Sequence, residues 1–193
     1  MSQADKQRWD EKWDEREGGE KAPDWLVRHG HLLGGGIAVD LATGRGASAR
    51  WLAARGYRVV AVDVSRVALM QAKEGDGSRA TMAPLYVEAD LDEWRLPPAS
   101  ADLITVFRFL DRTLFPMIRR AVRPGGLLIY QTRTVGWLER EPGASVEFLL
   151  RRGELLQLFG DWQLVSYLEN ADHAALVARR PHEPMINQPH SVS

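Results

Sequence analysis

The sequence predicts one α/β sandwich: a seven-stranded, mostly parallel sheet with helices on both faces and an antiparallel hairpin at its end. Three observations support this. Apolar strand-like runs alternate with helical patterns from residue 37 to about residue 132, as parallel crossovers require. The first run ends in a glycine-bearing turn that opens a helix. The last two runs are separated only by the residues around Asn170-Ala171-Asp172, which permits a hairpin and forbids a parallel crossover.

Residues 5–16 have helix-forming composition and put Trp9 and Trp13 four apart, on one face. Pro23-Asp24 opens a short helix through about His31, and Gly34-Gly35-Gly36 ends it. Strands are expected at 37–42, 58–63, 84–89, 101–107 and 127–132, with helices at 47–55, 66–73 and a third ending near Val122. Ser65 is placed to cap the helix that follows it, and Gly56 to stop the one before it. Arg123-Pro124-Gly125-Gly126 reads as a sharp turn into the fifth strand. Residues 134–147 read as loop, 153–159 as helix, and 162–169 and 173–179 as the closing hairpin, so six strands run parallel and one antiparallel. This divides the chain into an N-terminal helical segment (1–33), an α/β domain (34–180) and a proline-bearing tail (181–193) expected to be disordered.

The 193 residues suffice for one domain with a sizeable core. A net charge of −1 offers no overall attraction for nucleic acid or an anionic membrane. The absence of cysteine removes disulfides, thiolate metal sites and cysteine nucleophiles. His29 and His31 point to different faces of a helix, and no metal site is expected. Residues 1–19 contain no apolar signal-like stretch, and no run approaches the roughly 18 apolar residues of a membrane span, so a cytoplasmic location is expected.

Chemistry concentrates at the ends of strands. The turn Asp40-Leu41-Ala42-Thr43-Gly44-Arg45-Gly46 brings small residues and free backbone N–H groups together, as a nucleoside-type cofactor requires. Gly44-x-Gly46-x-x-Ala49 also satisfies the dinucleotide pattern, and Asp63, ending the second strand, suits a ribose in either case. Three features separate the readings: Asp40 within the first strand, giving D-x-A-x-G-x-G; a further acid, Asp90, ending the third strand; and Arg-Pro-Gly-Gly before the fifth strand with an antiparallel pair closing the sheet.

In these features the sequence resembles the class I S-adenosylmethionine-dependent methyltransferases, Rossmann-like proteins whose glycine motif is usually D-x-G-x-G-x-G. It is especially similar to their small tellurite-resistance-type branch. The resemblance spans about Trp9 to Arg180 and implies S-adenosyl-L-methionine as cofactor. It implies that Asp40 braces the loop near the methionine end, that Asp63 takes the ribose hydroxyls, and that Asp90 with Leu91 approaches the adenine. Thr43, Gly44 and Gly46 in the loop, with Val64 and Phe107 at the ends of the second and fourth strands, complete the expected contacts. Ala42 stands where the family has its first glycine, which permits close approach if φ there is negative. Trp9, Trp13 and Trp25 either form a lid over the cofactor or pack on the sheet.

The expected activity is methyl transfer to a small molecule. Soft or anionic nucleophiles need only alignment, whereas hydroxyl or ammonium groups need a base. Asp111, Glu139 and His29 are the base candidates, and none has a context that assigns it. The sequence after the fourth strand, Val106-Phe107-Arg108-Phe109-Leu110, lacks the N-P-P-Y motif of amino-nitrogen methylation. Arg108 and Arg133 each follow a central strand, where they either position an anionic substrate or brace loop carboxylates. Two alternatives stand beside this reading: a cofactor-binding partner subunit without catalysis, and an NAD-dependent oxidoreductase. The latter lacks the Tyr-x-x-x-Lys dyad of short-chain dehydrogenases. Oligomeric state is not readable from the chain.

Overall fold

A computed structural model describes residues 3–14, 21–76 and 82–182. Seven strands form one sheet in the order β3-β2-β1-β4-β5-β7-β6. They are β1 (Gly36–Leu41), β2 (Tyr57–Asp63), β3 (Leu85–Glu88), β4 (Ala101–Phe107), β5 (Val122–Arg133), β6 (Gln163–Glu169) and β7 (His173–Arg179). β7 runs antiparallel to both β5 and β6, and the remaining pairs are parallel. The hairpin between β6 and β7 closes on Asn170, whose Oδ1 accepts from the N–H groups of Asp172 (2.9 Å) and His173 (3.0 Å).

Alternation along the central strands divides the core. Ile104, Val106, Leu128 and Tyr130 face one side with Phe115 and Phe159, which come from α5 (Phe115–Ala121) and α6 (Glu154–Phe159). Ala38, Leu103, Ile129 and Val177 face the other. There they meet Trp25 and Leu26 of α2 (Asp24–Arg28), Leu52 of α3 (Ala47–Ala53) and Leu69 of α4 (Arg66–Glu74). Burial on both faces explains why these strands read as near-continuous apolar runs. Ser65 caps α4 as expected, its hydroxyl accepting from Ala68 N–H at 3.1 Å. No helix among the described residues is long and apolar enough to cross a membrane.

Two elements differ from expectation. The short helix at Asp24 stops at Arg28, and a 3₁₀ turn, Gly30–Leu32, replaces its continuation. The Arg-Pro-Gly-Gly turn lies inside β5 instead of preceding it: register jumps from Ala101↔Val122 to Leu103↔Leu127. Pro124 has no N–H to pair, so the strand bulges there and is re-anchored by β7's end. Gly125 N–H donates to the Arg180 carbonyl (2.8 Å), and Arg180 N–H donates to that of Gly126 (2.9 Å). The 134–147 segment contains two 3₁₀ turns, Val135–Glu139 and Val146–Phe148. The expected tail falls outside the described residues beyond 182.

β1 connects to β2 on one side of the sheet while β4 adjoins it on the other, so the chain's direction of winding reverses between β1 and β4. Open α/β sheets have a crevice for ligands at the carboxyl end of such a reversal. The amino ends of the same strands are clasped by Asp102. Its carboxylate accepts from Ile37 N–H (2.7 Å) and from Arg123 Nη1 (3.0 and 3.1 Å), tying β1, β4 and β5 together.

Gly36 makes this clasp possible. Its φ is +104°, and a Cβ there would stand 2.2 Å from Asp102 Oδ2. Gly36→Ala should therefore cost on the order of 2–4 kcal/mol, from left-handed strain plus a displaced carboxylate. Urea denaturation measures the loss. Ligand affinity at the opposite edge should be unchanged.

Candidate cofactor site

β1 has a buried acid, Asp40, one residue before its end, and β2 ends on another, Asp63. Asp40 pairs in register with Thr105 of β4 and is 2% exposed. Its Oδ1 accepts from the Thr105 hydroxyl at 2.6 Å and its Oδ2 from the Thr43 hydroxyl at 2.5 Å. One carboxylate thus joins β1, β4 and the loop leaving β1. Burial raises its pKa to about 6, against the lowering effect of the two hydroxyl bonds, and nearby Asp63 adds to the rise. Asp63 is also buried. Its Oδ2 accepts from Gly44 N–H (2.7 Å) and its Oδ1 from Ser65 N–H (2.9 Å). Burial raises its pKa too, opposed by these backbone donors. The Val64 N–H is a third backbone donor to this carboxylate, which leaves it one acceptor position for a further donor.

The loop between these acids is sharply turned. Thr43 N–H donates to the Val62 carbonyl and Gly46 N–H to that of Thr43, each at 3.0 Å. Ala42 has φ +52°, which corrects the expectation of a negative φ at this position. An alanine there costs about 1–2 kcal/mol over the ordinary conformation. It is held by the Thr43 bonds on its carboxyl side. Arg108, ending β4 at the same edge, has φ +56°.

The two loop glycines serve different neighbours. A Cβ on Gly44 would lie 2.8 Å from the indole of Trp13, whereas one on Gly46 would meet Tyr86 Oη at 2.8 Å and Ala72 Cβ at 3.1 Å. Gly46 therefore lets α3 pack against β3 and α4, and Gly44 lets Trp13 lie on the loop.

Trp13 belongs to α1 (Gln3–Asp14), which is fastened across the ends of β2 and α4. Asp10 Oδ1 accepts from the Ser65 hydroxyl (2.5 Å) and Val67 N–H (3.2 Å), Gln71 Nε2 donates to the Trp13 carbonyl (3.2 Å), and Lys6 pairs with Glu88. Trp13 itself is buried, and Trp9 is half-buried.

The remaining expected residues are arranged less uniformly. Val64 is buried beside Asp63, and Phe107 is half-buried against the core face that contains Trp25. Asp90 turns the chain after β3, its Oδ1 accepting from Asp92 N–H at 2.9 Å. Leu91's side chain is wholly buried in the core on the opposite face, leaving its backbone at the edge. Arg133 stacks on Trp137, its Cζ 3.9 Å from the ring centre, and donates to Glu141 Oε2 at 3.2 Å. Arg108 is exposed, and its N–H donates to the Gln131 carbonyl at 2.8 Å. Thr105 is a site residue that sequence reasoning did not select. Its signal was a hydroxyl within the otherwise apolar run Leu103-Ile104-Thr105-Val106-Phe107.

Residues 38–126 match the family model described as a methyltransferase domain. Over these residues the chain is similar to methyltransferase domains. This match covers the strands and loop that hold Asp40, Asp63, Asp90 and Phe107. No curated protein matches the chain in sequence. Among solved structures, TehB from Haemophilus influenzae is similar at TM-score 0.72 and 15% identity, covering 89% of this chain and 67% of its own. An S-adenosylmethionine-dependent methyltransferase from Mesorhizobium loti is similar at TM-score 0.65 and 19% identity, covering 82% and 98% respectively. A putative one from Listeria monocytogenes is similar at TM-score 0.67 and 12% identity, with the same coverage of 82% and 98%. At these identities the likeness is one of fold.

Asp63 gives the candidate site a direct test. Asp63→Ala leaves the N–H groups of Gly44 and Ser65 without their acceptor, and each orphaned donor costs about 1–3 kcal/mol. The melting temperature should fall, and affinity for S-adenosylhomocysteine should drop about tenfold or more. Asp63→Asn, which keeps one acceptor oxygen, should lose less stability. Calorimetric titration beside thermal denaturation measures both, and wild-type values in the alanine variant would leave the carboxylate without a role.

Proposed function

We propose that the chain is an S-adenosyl-L-methionine-dependent methyltransferase that acts in the cytoplasm on a small molecule with an anionic or soft nucleophile, a thiolate or a chalcogen oxyanion. We place it in the small tellurite-resistance-type branch, a reading supported by its fold likeness to TehB. The observation that carries the site assignment is the pair of buried carboxylates at the reversal between β1 and β4. Asp40 and Asp63 take their hydrogen bonds from hydroxyls and backbone N–H groups among the described residues, with no basic side chain beside either. Two negative charges so placed favour a ligand carrying positive charge.

On this reading Asp40 faces the ammonium end of the cofactor, Asp63 takes the ribose hydroxyls at its remaining acceptor position, and Val64, Asp90 and Leu91 adjoin the adenine. Ala42, Thr43 and Gly44 bring the backbone close, Gly46 opens α3, and Phe107 borders the methionine end. Residues 1–33 supply a cover, with Trp13 of α1 lying on Gly44. The bound cofactor supplies a methyl group already activated on a sulfonium sulfur. The protein's work is then to align the incoming nucleophile and exclude water, and a thiolate or oxyanion needs no base. Methylation assayed across thiols, chalcogen oxyanions, phenols and amines tests the substrate class. Turnover confined to amines would overturn it.

Asp40 makes cofactor binding dependent on pH. Its pKa of about 6 exceeds the ordinary 3.8, so the stability it contributes to the free protein is fully present below the unfolded value. That contribution is lost as pH rises through about 6 and amounts to on the order of 3 kcal/mol. A cationic ligand favours the ionised form. Affinity for S-adenosylmethionine should therefore rise from pH 5 to pH 7 by up to about tenfold per unit below the pKa. Titration at several pH values checks this, and Asp40→Asn should flatten the profile.

Arg108 follows β4 and Arg133 ends the neighbouring β5 at the same edge. We assign them to the anionic substrate, with Arg133 exchanging its contact to Glu141 for that anion. Arg108→Met and Arg133→Met should each lower turnover of an anionic substrate while cofactor affinity stays within about threefold. Unchanged turnover in both would leave the arginines as braces for the 134–147 segment.

A further inference from the structure

Trp25 begins the first turn of α2 and is 7% exposed. Its indole N–H is fully buried and has no hydrogen-bond partner among the described residues. Such a donor loses its water on folding and receives nothing in return, which is among the costlier arrangements a buried polar group can adopt. A phenylalanine would fill the same space without that cost. The neighbouring residues hold the ring firmly: His29 Nδ1 donates to the Trp25 carbonyl at 2.8 Å, and the two rings pack with centroids 4.4 Å apart.

The position of this donor in the fold is informative. α2 and α3 lie on the same core face, and each leads to a strand that starts at the amino edge. They therefore run in the same direction. Gly30 lies against Trp51, the fifth residue of α3, so closely that a Cβ would stand 2.9 Å from the indole. Trp25 precedes Gly30 by five residues, about 7 Å back toward the carboxyl edge at helical rise. That puts Trp25 level with the first turn of α3 and the glycine loop. Asp40 and Thr105 end or pass through this sheet face at the same edge, and Phe107 packs against the cluster that contains Trp25.

We infer that the Trp25 N–H donates to the carboxylate at the amino-acid end of the cofactor. This rests on the assignment of Asp40 to the ammonium of the same zwitterion. An amino acid held in a buried site needs an anion for its ammonium and donors for its carboxylate. The hydroxyls of Thr43 and Thr105 are already committed to Asp40. Among the described residues, the Trp25 N–H is the buried side-chain donor on this face that remains uncommitted.

Trp25→Phe keeps the ring and removes only the donor. The test compares two ligands by calorimetry: S-adenosylhomocysteine, which has the carboxylate, and 5′-methylthioadenosine, which lacks the whole amino-acid end. The variant should bind the first about tenfold to a hundredfold more weakly and the second within about twofold of wild type. Equal losses for both ligands, or no loss for either, would overturn the donor role. Wild-type protein that binds neither ligand would instead overturn the cofactor site on which the inference rests. Indole ¹⁵N–¹H spectra of the wild type provide a readout that does not depend on the variant's folding. The Trp25 resonance, assigned by its absence in Trp25→Phe, or by selective labelling should that variant fail to fold, should move downfield with S-adenosylhomocysteine and stay put with 5′-methylthioadenosine. Identical shifts with both ligands would also overturn the donor role.

Discussion

The hydrogen bonds that Asp40 accepts from Thr105 and Thr43 are the constraint around which the carboxyl edge is organised. They join the two strands where the winding reverses and fix the first residues of the loop between β1 and α3. The bonds also keep a buried carboxylate from being wholly uncompensated, since hydroxyl donors soften the loss of water without supplying a charge. The site is thus left electrostatically incomplete. A carboxylate with a pKa near 6, beside a second acid also pushed upward, is stabilised by a cation more than an exposed acid would be.

Strain follows the same geometry. Ala42 and Arg108 take left-handed backbone conformations at the ends of β1 and β4, two neighbouring strands of one edge. Such conformations persist where surrounding bonds over-determine the chain. Here Thr43 N–H to Val62 and Arg108 N–H to Gln131 supply those bonds. The amino edge has a different arrangement. The Asp102 clasp on Ile37 and Arg123 and the bulge at Pro124 secure β1, β4 and β5 to one another. Stability is concentrated at one end of the strands and the buried acids without a countercharge at the other.

α1 connects the N-terminal segment to this site through side chains that also serve the domain. Ser65 caps α4 and donates to Asp10, while Gln71 joins Arg45 of the loop to the Trp13 carbonyl. α1 is therefore tied to the loop on which Trp13 lies.

The architecture was legible in the sequence because hydrophobic period, turn residues and caps are local. The run Ala101–Phe107, the Ser65 cap and the short Asn170–Asp172 hairpin each follow from a few adjacent residues. The positions of Asp40, Asp63 and Asp90 at strand ends were legible for the same reason. What the acids touch was not, because register sets it. Thr105 meets Asp40 across 65 residues of chain, and only pairing of β1 with β4 brings them together. The sign of φ at Ala42, the allocation of Gly46 to Tyr86 and Ala72, the bulge within β5 and the orphaned Trp25 N–H are likewise products of tertiary packing. The sequence alone determined which elements form and where reactive groups end them. The tertiary structure decided which groups meet and which are left without a partner, because non-local contacts have no signature in a window of neighbouring residues.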